Sequence, residues 1–310
     1  MKKLDSLFLL MSSLVRRHSG LSGILLKKDS GQAGVTIYFI MLVYFLAFSV
    51  FFSLAQYAYS EEYITASGCS VSNVGYLTEL AKEYEKQTGT KVLVRGGGTV
   101  IGIEDVRTGK VDFAASCRKK VAGDPEDIKF IQIAWDALVF IVHKSNPVNN
   151  ISLNDVREIY AGKITNWKQL DGSKAPIKVF ISRSKKGLSG VESSTNEMVL
   201  KGKEPVGTQN TLSLASTGIV EQMVEDTPEG FATTGFSSAR KRDVKILKLN
   251  GVYTDKKNIS NDRYPFRRPL FLLTPKNPKP AVTKFIEFTL SKKGQQFISS
   301  QGVVSLLDVK

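Results

Sequence analysis

Three short segments of this chain have the composition of anion-binding loops: residues 67–72, 96–99 and 182–190. Each is rich in Gly, Ser or Thr, follows a strand-like pattern and precedes a helix-like one. A turn of this form directs unpaired backbone N–H groups and the positive end of a helix dipole at one point, and glycine lets a ligand approach the backbone closely. One such loop alone is better explained as ordinary helix capping, but three together favour the binding of a small oxyanion.

The charge balance supports an anionic ligand. The chain has 43 Lys and Arg residues against 29 Asp and Glu, a formal net charge of +14, which favours an acidic partner. The basic residues form short clusters rather than a long stripe interleaved with aromatics, so nucleic acid is not the expected partner. Arg118 and Arg183 lie near the loops in sequence and are candidates for charge-assisted contacts to the anion. A solvated surface position is the alternative for either arginine, and most of all for Arg118.

The residue types that catalysis or metal binding requires are not arranged for either. Cys69 and Cys117 are the only cysteines, and the only histidines, His18 and His143, are isolated. The sequence has no nucleophile elbow, no metal-ligand spacing and no paired carboxylates with catalytic spacing. It therefore predicts a binding protein rather than an enzyme, with no metal and no cofactor.

The elements that position the loops alternate between strand and helix from about residue 61 onward. A strand-like run at 63–66 is followed by apolar residues at helical spacing, and Gly89 stands where that helix should stop. The alternation predicts an α/β fold with a largely parallel sheet. The polar run 146–150 interrupts it and is the expected crossing point between domains. After it, Ser152 and Asp155 have the spacing of a capping box that opens a helix.

The N-terminal part of the chain has the pattern of a membrane-targeting segment. Residues 30–60 carry no charge, and 35–55 are almost wholly apolar, about the length that a bilayer core requires. Basic residues dominate before this run, so the positive-inside rule places the N-terminus in the cytoplasm. Residues 1–60 are therefore predicted to be a cytoplasmic basic segment plus a signal or anchor helix at about 35–55, and the residues after 60 to be exported. Whether the segment is cleaved or remains as an anchor stays open at this level.

Several motifs carry a resemblance to a known family. They are Val-Asp-Phe-Ala-Ala-Ser at 111–116, Asp-Ala-Leu-Val at 136–139, Asn-Pro-Val at 146–148, Gly-Lys-Ile-Thr-Asn-Trp at 162–167, and Arg-Pro-Leu at 268–270. From about Ile64 to Leu306 the chain resembles the phosphate-binding periplasmic proteins of ABC transporters. The resemblance implies a type II periplasmic-binding-protein clamp, in which two α/β lobes are joined by two crossover strands. By this analogy lobe one is 61–143 with 251–310, and lobe two is 144–250.

The resemblance also implies a set of ligand-binding residues in this chain. The first ligand loop of the family falls on Ser70 to Ser72, its second-loop serine on Thr99, and its lobe-two arginine on Arg183. With the residues chosen from charge and loop composition, the expected ligand set is Ser70, Ser72, Thr99, Arg118, Arg183, Ser189 and Gly190.

This chain departs from the pattern of the family at two positions. Val191 supplies no hydroxyl where the family has threonine, and the family's cleft aspartate falls on Cys117. That aspartate can accept a hydrogen bond from a protonated phosphate, which sulfate cannot offer. The resemblance places Cys69 and Cys117 in adjacent loops of one lobe, where an oxidising compartment permits a disulfide. Two small buried thiols are the equal alternative, and a reactive or metal-binding pair is less favoured.

The expected function follows from the resemblance. The chain would capture inorganic phosphate or a similar tetrahedral oxyanion in the periplasm, or at the outer face of the cytoplasmic membrane. It would act as a monomer that presents the anion to an ABC permease in the membrane. The alternative is a membrane-anchored oxyanion or redox sensor that signals to a membrane partner, which an uncleaved 35–55 segment would favour.

Overall fold

The computed structural model describes residues 43–44, 63–184 and 187–309. The predicted basic segment and signal or anchor helix at 35–55 lie outside the described residues, apart from 43–44. Among the residues that are described, no helix has the length and apolar character needed to cross a bilayer. Residues Glu61–Lys310 form a compact unit with its own core.

Strands and helices alternate through this unit, as the sequence pattern predicts. The strands are β1 (Tyr63–Gly68), β2 (Lys91–Val94), β3 (Phe113–Ser116), β4 (Ile128–His143), β5 (Asn150–Ile151), β6 (Lys178–Ser184), β7 (Gly187–Leu188), β8 (Thr211–Leu214), β9 (Gly230–Gly235), β10 (Val244–Ile246), β11 (Lys248–Leu249), β12 (Arg267–Pro275) and β13 (Val304–Ser305). The α-helices are α1 (Ser70–Ser72), α2 (Thr78–Thr88), α3 (Thr99–Arg107), α4 (Leu153–Tyr160), α5 (Gly190–Ser194), α6 (Thr217–Asp226), α7 (Phe236–Ala239), α8 (Lys256–Ser260), α9 (Pro280–Leu290) and α10 (Lys292–Ser300).

Two helical segments are continuous through a π-helical turn. The turn Asn73–Leu77 joins α1 to α2, and the turn Thr195–Val199 extends α5. Both segments therefore run for two or more turns from their first residue, although their first α-helical pieces are short. Single π turns within helices are frequent at functional sites, and both of these follow a loop that the sequence marks as a candidate anion loop.

The sheet is mixed rather than largely parallel. Strands β2, β1 and β3 form one parallel group, and β8, β6 and β9 form another. Between the groups lie β12 and β4, which are antiparallel to each other and to their outer neighbours β3 and β9. The expectation of a largely parallel sheet holds within each group and is wrong for the long strands between them, because those strands return across the sheet in the opposite direction.

Strand β4 is long enough to belong to both groups. Its residues from Ile128 to Ala137 pair with β12, and those from Leu138 to Val142 pair with β9. Near its end it also pairs antiparallel with β10, where Val244 faces His143. The two crossover strands that the resemblance implies should lie where the chain passes between the lobes, near 138–144 and 244–250, and this part of the chain forms the pairing of β4 with β10.

Local signals read from the sequence are present in the structure. Ser152 and Asp155 form the predicted capping box at the start of α4. Gly89 ends α2 in the left-handed conformation, with a φ of 78° that favours glycine. Trp167 is fully buried, and its ring N–H donates to the backbone carbonyl of Glu229, so it is a core residue.

Candidate functional site

The first candidate loop lies at the carboxyl edge of the parallel group β2–β1–β3. Gly68 pairs with Ala115 at the ends of β1 and β3, and the Cys69 N–H donates to the Ala115 carbonyl at 2.8 Å. Because the ends of neighbouring parallel strands meet at one edge of a sheet, the loops that follow them are adjacent. The edge therefore brings Cys69 and Cys117 together.

The two cysteines are joined by a disulfide, with their Cα atoms 6.0 Å apart. Both are almost completely buried. Of the alternatives that the sequence left open, the structure has the disulfide rather than two free thiols. The bridge ties the loop that starts α1 to the loop that follows β3.

The glycine-rich loop at 96–98 packs closely on the first loop. The Gly98 N–H donates to the Gly68 carbonyl at 2.8 Å, and Gly98 has a φ of 97°, which favours glycine. One turn into α3, a Cβ added to Gly102 would lie 2.8 Å from the Gly68 Cα, so the helix can approach this closely only with glycine there. Ser70 borders the same loop, since a Cβ on Gly96 would lie 3.1 Å from the Ser70 hydroxyl oxygen.

Thr99 is the first residue of α3 and is fully buried. Its hydroxyl oxygen accepts a hydrogen bond from the Cys117 N–H at 3.4 Å. The start of α3 is therefore held directly against the disulfide loop. Ser70, Thr99 and Cys117 thus form one contiguous surface at the edge of the sheet.

The helical segment that begins at Gly190 packs against this surface from the other strand group. Ser189 caps it, because the Ser189 hydroxyl oxygen accepts from the Glu192 N–H at 3.1 Å. A Cβ added to Gly190 would lie 2.5 Å from the Thr99 hydroxyl oxygen and 2.8 Å from the Cys117 sulfur. Only glycine fits in this position, so residues 189–190 contact Thr99 and Cys117 directly. We call this contact between residues 189–190 and the loops at Ser70, Thr99 and Cys117 the seam.

A fourth helix, which was not expected from the sequence, also begins at the seam. Ser216 caps α6, and a Cβ on the next glycine, Gly218, would lie 3.5 Å from the Ser70 Cβ. The Thr217 hydroxyl donates to the Ser182 hydroxyl oxygen at 3.3 Å. The Ser-Thr-Gly composition of 216–218 matches that of the other loops and is the signal that would have found it. Four helix N-termini therefore gather at one place, where each favours negative charge.

Ser72 lies two residues after Ser70, but its side chain forms no hydrogen bond with the residues of the seam. Its hydroxyl oxygen is fully buried and has no hydrogen-bond partner. It lies beside Tyr76, whose pKa is raised well above its usual value by burial, with Ser72 and Asp136 as neighbours. Ser72 therefore lies in the polar layer beneath the first loop.

The two candidate arginines are engaged by carboxylates. Both terminal nitrogens of Arg118 donate to Asp124, at 2.6 and 2.8 Å, and this pair is largely buried. Arg118 also lines a small cavity of about 80 Å³ next to Arg268. Arg183 lies in β6, is 43% exposed at its side chain and is paired with Glu204. Neither arginine donates to a seam residue in this arrangement.

A buried ion pair contacts the seam at Cys117, and the sequence did not predict it as part of the site. Arg268 on β12 donates to Asp136 on β4 at 2.9 Å, and both are almost completely buried. Arg268 also donates to the Cys117 carbonyl at 3.0 Å, and Asp136 accepts from the Ser237 N–H at 2.9 Å. Each residue belongs to a motif that carries the family resemblance, but nothing local in the sequence links positions 132 residues apart.

Glu192 is a buried acid in the first turn of α5. Burial raises its pKa to about 7, although the Ser182 N–H, which donates to it at 3.1 Å, and the charge of Arg183 act in the opposite direction. The described residues contain no group of three or more His, Cys, Asp and Glu side chains that could hold a metal ion.

Comparison with known proteins identifies the class. The model of the PBP superfamily domain matches residues 55–293, so the chain belongs to that family. The α/β clamp predicted from the sequence, of the type II periplasmic-binding-protein class, is confirmed as a fold class.

Named relatives within this class are phosphate-binding proteins. The chain is 28% identical over 278 residues to the phosphate-binding protein PstS of Borreliella burgdorferi, covering 86% of this chain and 98% of the relative. It is 25% identical over 251 residues to the phosphate-binding protein PstS of Bacillus subtilis, covering 80% of this chain and 82% of that protein. The resemblance to the phosphate-binding family that the motifs indicated is confirmed.

Two solved structures are similar over the same region. One is a candidate phosphate ABC transporter substrate-binding protein from Clostridium perfringens with bound phosphate, with a TM-score of 0.70 and 26% identity, covering 79% of this chain and 100% of that one. The other is an ABC-type phosphate transport receptor from Vibrio cholerae, with a TM-score of 0.59 and 25% identity, covering 79% and 100%.

Proposed function

We propose that this chain is a solute-binding protein that captures inorganic phosphate, or a similar tetrahedral oxyanion, for an ABC transporter. The observation that carries this proposal is the seam, where Gly190 packs directly against Thr99 and Cys117. The named relatives and the phosphate-bound neighbour support phosphate as the ligand.

The physical basis for capture is the set of helix N-termini at the seam. Each presents backbone N–H groups and a partial positive charge, and serine or threonine hydroxyls add donors of adjustable direction. We propose Ser70, Thr99, Ser189 and Gly190 as the direct ligands. Ser72, Arg118 and Arg183 remain proposed as a second group, whose contact with the anion requires release from their present surroundings.

Closure of two lobes would complete the site. We propose lobe one as 61–143 with 251–310 and lobe two as 144–250, hinged where β4 and β10 run side by side. Seam residues from both lobes would then meet only when the clamp is shut, which is a common way for two-lobed proteins to enclose a ligand. This arrangement supports binding and release rather than a chemical step.

The proposed location is outside the cytoplasm, with a permease in the membrane as partner and the chain acting as a monomer. The basic residues before the charge-free run at 30–60 support this orientation. A second candidate function, a membrane-anchored oxyanion or redox sensor, is favoured by one observation, the Cys69–Cys117 disulfide at the seam.

Calorimetric titration of the purified chain tests the leading proposal. Phosphate, sulfate, arsenate and molybdate are tetrahedral, and nitrate and acetate serve as planar controls. Saturable binding of phosphate at one site per chain, with no heat from the planar anions, is the expected result. Absence of binding by all four tetrahedral anions would contradict the proposal.

A further inference from the structure

We propose that a cavity beside α4 is a second anion-binding site, which takes a small molecule carrying two or three linked phosphate groups. This α4 cavity has a volume of about 380 Å³ and lies between the carboxyl-terminal half of α4 and the segment 200–206. None of the described residues that line it belongs to the seam. The proposal therefore concerns a ligand other than the anion captured at the seam.

The two walls of the α4 cavity are fixed to each other by hydrogen bonds. The Arg157 Nε–H on α4 donates to the Val199 carbonyl at 2.8 Å. The Val206 N–H donates to the Tyr160 carbonyl, also at 2.8 Å. The cavity is therefore formed before a ligand arrives, as small-molecule sites usually are.

The turn that carries Lys201 and Lys203 is held in one conformation. Lys201 has a φ of 54° and Gly202 a φ of 84°, and a positive φ is uncommon in a residue with a side chain. The Gly202 N–H donates to the Asn196 carbonyl, and the Asn196 amide donates to the Lys203 carbonyl, both at 2.9 Å. Both lysines are therefore carried by a fixed backbone at the wall of the cavity.

Two acids line the α4 cavity, and each is already paired with a cation. Glu158 lies 3.2 Å from the ammonium of Lys163, which also lines the cavity. Glu204 is paired with Arg183. The charges of both acids are therefore compensated without the remaining cations of the lining.

Three cations of the lining have no carboxylate partner among the described residues, namely Arg157, Lys201 and Lys203. Arg157 uses its Nε–H on the Val199 carbonyl, which leaves the two terminal nitrogens of the guanidinium to donate elsewhere. Like charges around one concave surface repel each other, and an anion that contacts all three removes this repulsion. The cavity therefore favours a ligand with more than one negative charge.

The size and composition of the cavity indicate the class of ligand. A volume of about 380 Å³ is in the range of small-molecule sites and is larger than one tetrahedral oxyanion needs. Arginine matches the geometry of phosphate oxygens, and lysine binds phosphate as a point charge. Linked phosphates occur in nucleoside diphosphates and in inorganic condensed phosphate. Leu200 and the half-exposed Val206 add an apolar surface that a nucleoside can cover, which favours the nucleotide.

Calorimetric titration of the full chain in excess phosphate tests the proposal, because the seam is then occupied. ADP, tripolyphosphate, citrate and adenosine are titrated at about 0.1 M salt, where attraction between distant exposed charges is largely screened. We expect one site per chain for ADP and for tripolyphosphate, with ADP the tighter ligand, and no binding of adenosine. Tighter binding of tripolyphosphate would support the site with inorganic condensed phosphate as its ligand. Citrate binding as tightly as ADP would overturn the class of ligand, and no binding of either phosphate compound would overturn the site.

Two matched double variants locate the binding. Lys201→Gln with Lys203→Gln removes two of the unpaired cations, whereas Lys168→Gln with Lys174→Gln removes two exposed lysines outside the lining, with the same change in net charge. A lost charged contact weakens binding by roughly 10- to 100-fold. The first variant should therefore bind ADP at least about tenfold more weakly, and the second should match the native chain.

Both double variants should bind phosphate with the affinity of the native chain, which shows that the fold and the seam are intact. Equal weakening of ADP binding in the two variants would indicate an unspecific attraction to the basic surface and would overturn the proposal. Native ADP affinity in the variant without Lys201 and Lys203 would overturn it as well.

Discussion

Gly190 and Thr99 are in such close contact that a Cβ added to Gly190 would lie 2.5 Å from the Thr99 hydroxyl oxygen. Thr99 begins α3, which packs on the parallel group of β1, whereas Gly190 begins the helical segment that follows β6 and β7. The contact therefore joins the two strand groups at the place proposed for the ligand. Its tightness means that even a methyl group at position 190 would force the groups apart.

Gly190→Ala is expected to weaken phosphate binding by roughly tenfold or more and to lower the stability by about 1–3 kcal/mol. The added methyl group would overlap Thr99 and Cys117 and keep the seam from closing. Gly207→Ala is the matched control, because a Cβ at Gly207 would have no neighbour within 4 Å. Calorimetry measures the affinity and thermal unfolding measures the stability. Unchanged phosphate affinity in Gly190→Ala would show that the seam is not part of the binding site.

Reduction of the Cys69–Cys117 disulfide is expected to lower both stability and affinity. The bridge closes a loop of 48 residues, and the chain-entropy estimate for such a loop is about 4 kcal/mol of stability to unfolding. The bridge also fixes the loops that hold Ser70 and Thr99, so phosphate should bind more weakly without it.

Thiol counting checks that the bridge is present, urea unfolding with and without reductant measures its effect on stability, and calorimetry measures its effect on phosphate affinity. The native chain should show no free thiol until it is reduced. The variant with serine at both cysteine positions should match the reduced chain and should not respond to reductant. Two free thiols in the unreduced protein would contradict the bridge, and equal phosphate affinity before and after reduction would contradict its role in preorganisation.

Arg183 is paired with Glu204 at an exposed position, where such a pair contributes about 0–1 kcal/mol. As a proposed ligand residue, Arg183 must exchange this partner for the anion. Arg183→Ala should therefore weaken phosphate binding by roughly 10- to 100-fold, the effect typical of a lost charged contact. Glu204→Gln should strengthen binding, because it frees the guanidinium.

The control for this pair is Arg107→Ala, which removes a comparably exposed arginine paired with Glu104. Its affinity should equal that of the native chain. If Arg183→Ala also binds phosphate normally, Arg183 is excluded from the site and the other proposed ligands, Ser70, Thr99, Ser189 and Gly190, carry the binding.

The buried carboxyl of Glu192 is expected to make stability depend on pH. Its pKa is raised by burial from 4.5 to about 7, so the folded state binds the proton more tightly than the unfolded state does. The stabilising contribution is then fully present below about pH 4.5 and is lost as the pH rises through about 7. Glu192→Gln removes this dependence, and it should be more stable than the native chain at alkaline pH by about 3 kcal/mol.

Urea unfolding at about pH 5 and about pH 8 measures the difference between the native chain and Glu192→Gln. Glu197→Gln changes an exposed glutamate on the same helical segment, and it should follow the native chain at both values. A native unfolding free energy that rises from the lower pH to the higher, relative to Glu192→Gln, has the opposite sign and would contradict the assignment.

The parts of the fold that the sequence predicted correctly are those set by local chemistry. The capping box of Ser152 and Asp155, the helix stop at Gly89 and the candidate loops depend on residues within a few positions of one another. The proximity of Cys69 and Cys117 came from the resemblance together with the rule for parallel strand ends. These signals can be read without knowing the tertiary structure.

The parts that the sequence did not predict depend on contacts between distant segments. Nothing near Arg268 in sequence shows that it pairs with Asp136 and donates to the Cys117 carbonyl. Likewise, the acids that engage Arg118 and Arg183 are fixed only by the folded chain. The α6 loop at 216–218 was missed for a different reason, because it carries the right composition but follows a strand of only four residues, Thr211–Leu214.

The central claim is that a tetrahedral oxyanion binds at the seam, and a crystal structure of the chain grown with phosphate tests it most directly. We expect one phosphate in contact with the Ser70, Thr99 and Ser189 hydroxyls and the Gly190 N–H, with the Cys69–Cys117 disulfide beside it. A phosphate bound instead in the small cavity beside Arg118 and Arg268, with the seam closed and unoccupied, would contradict the account.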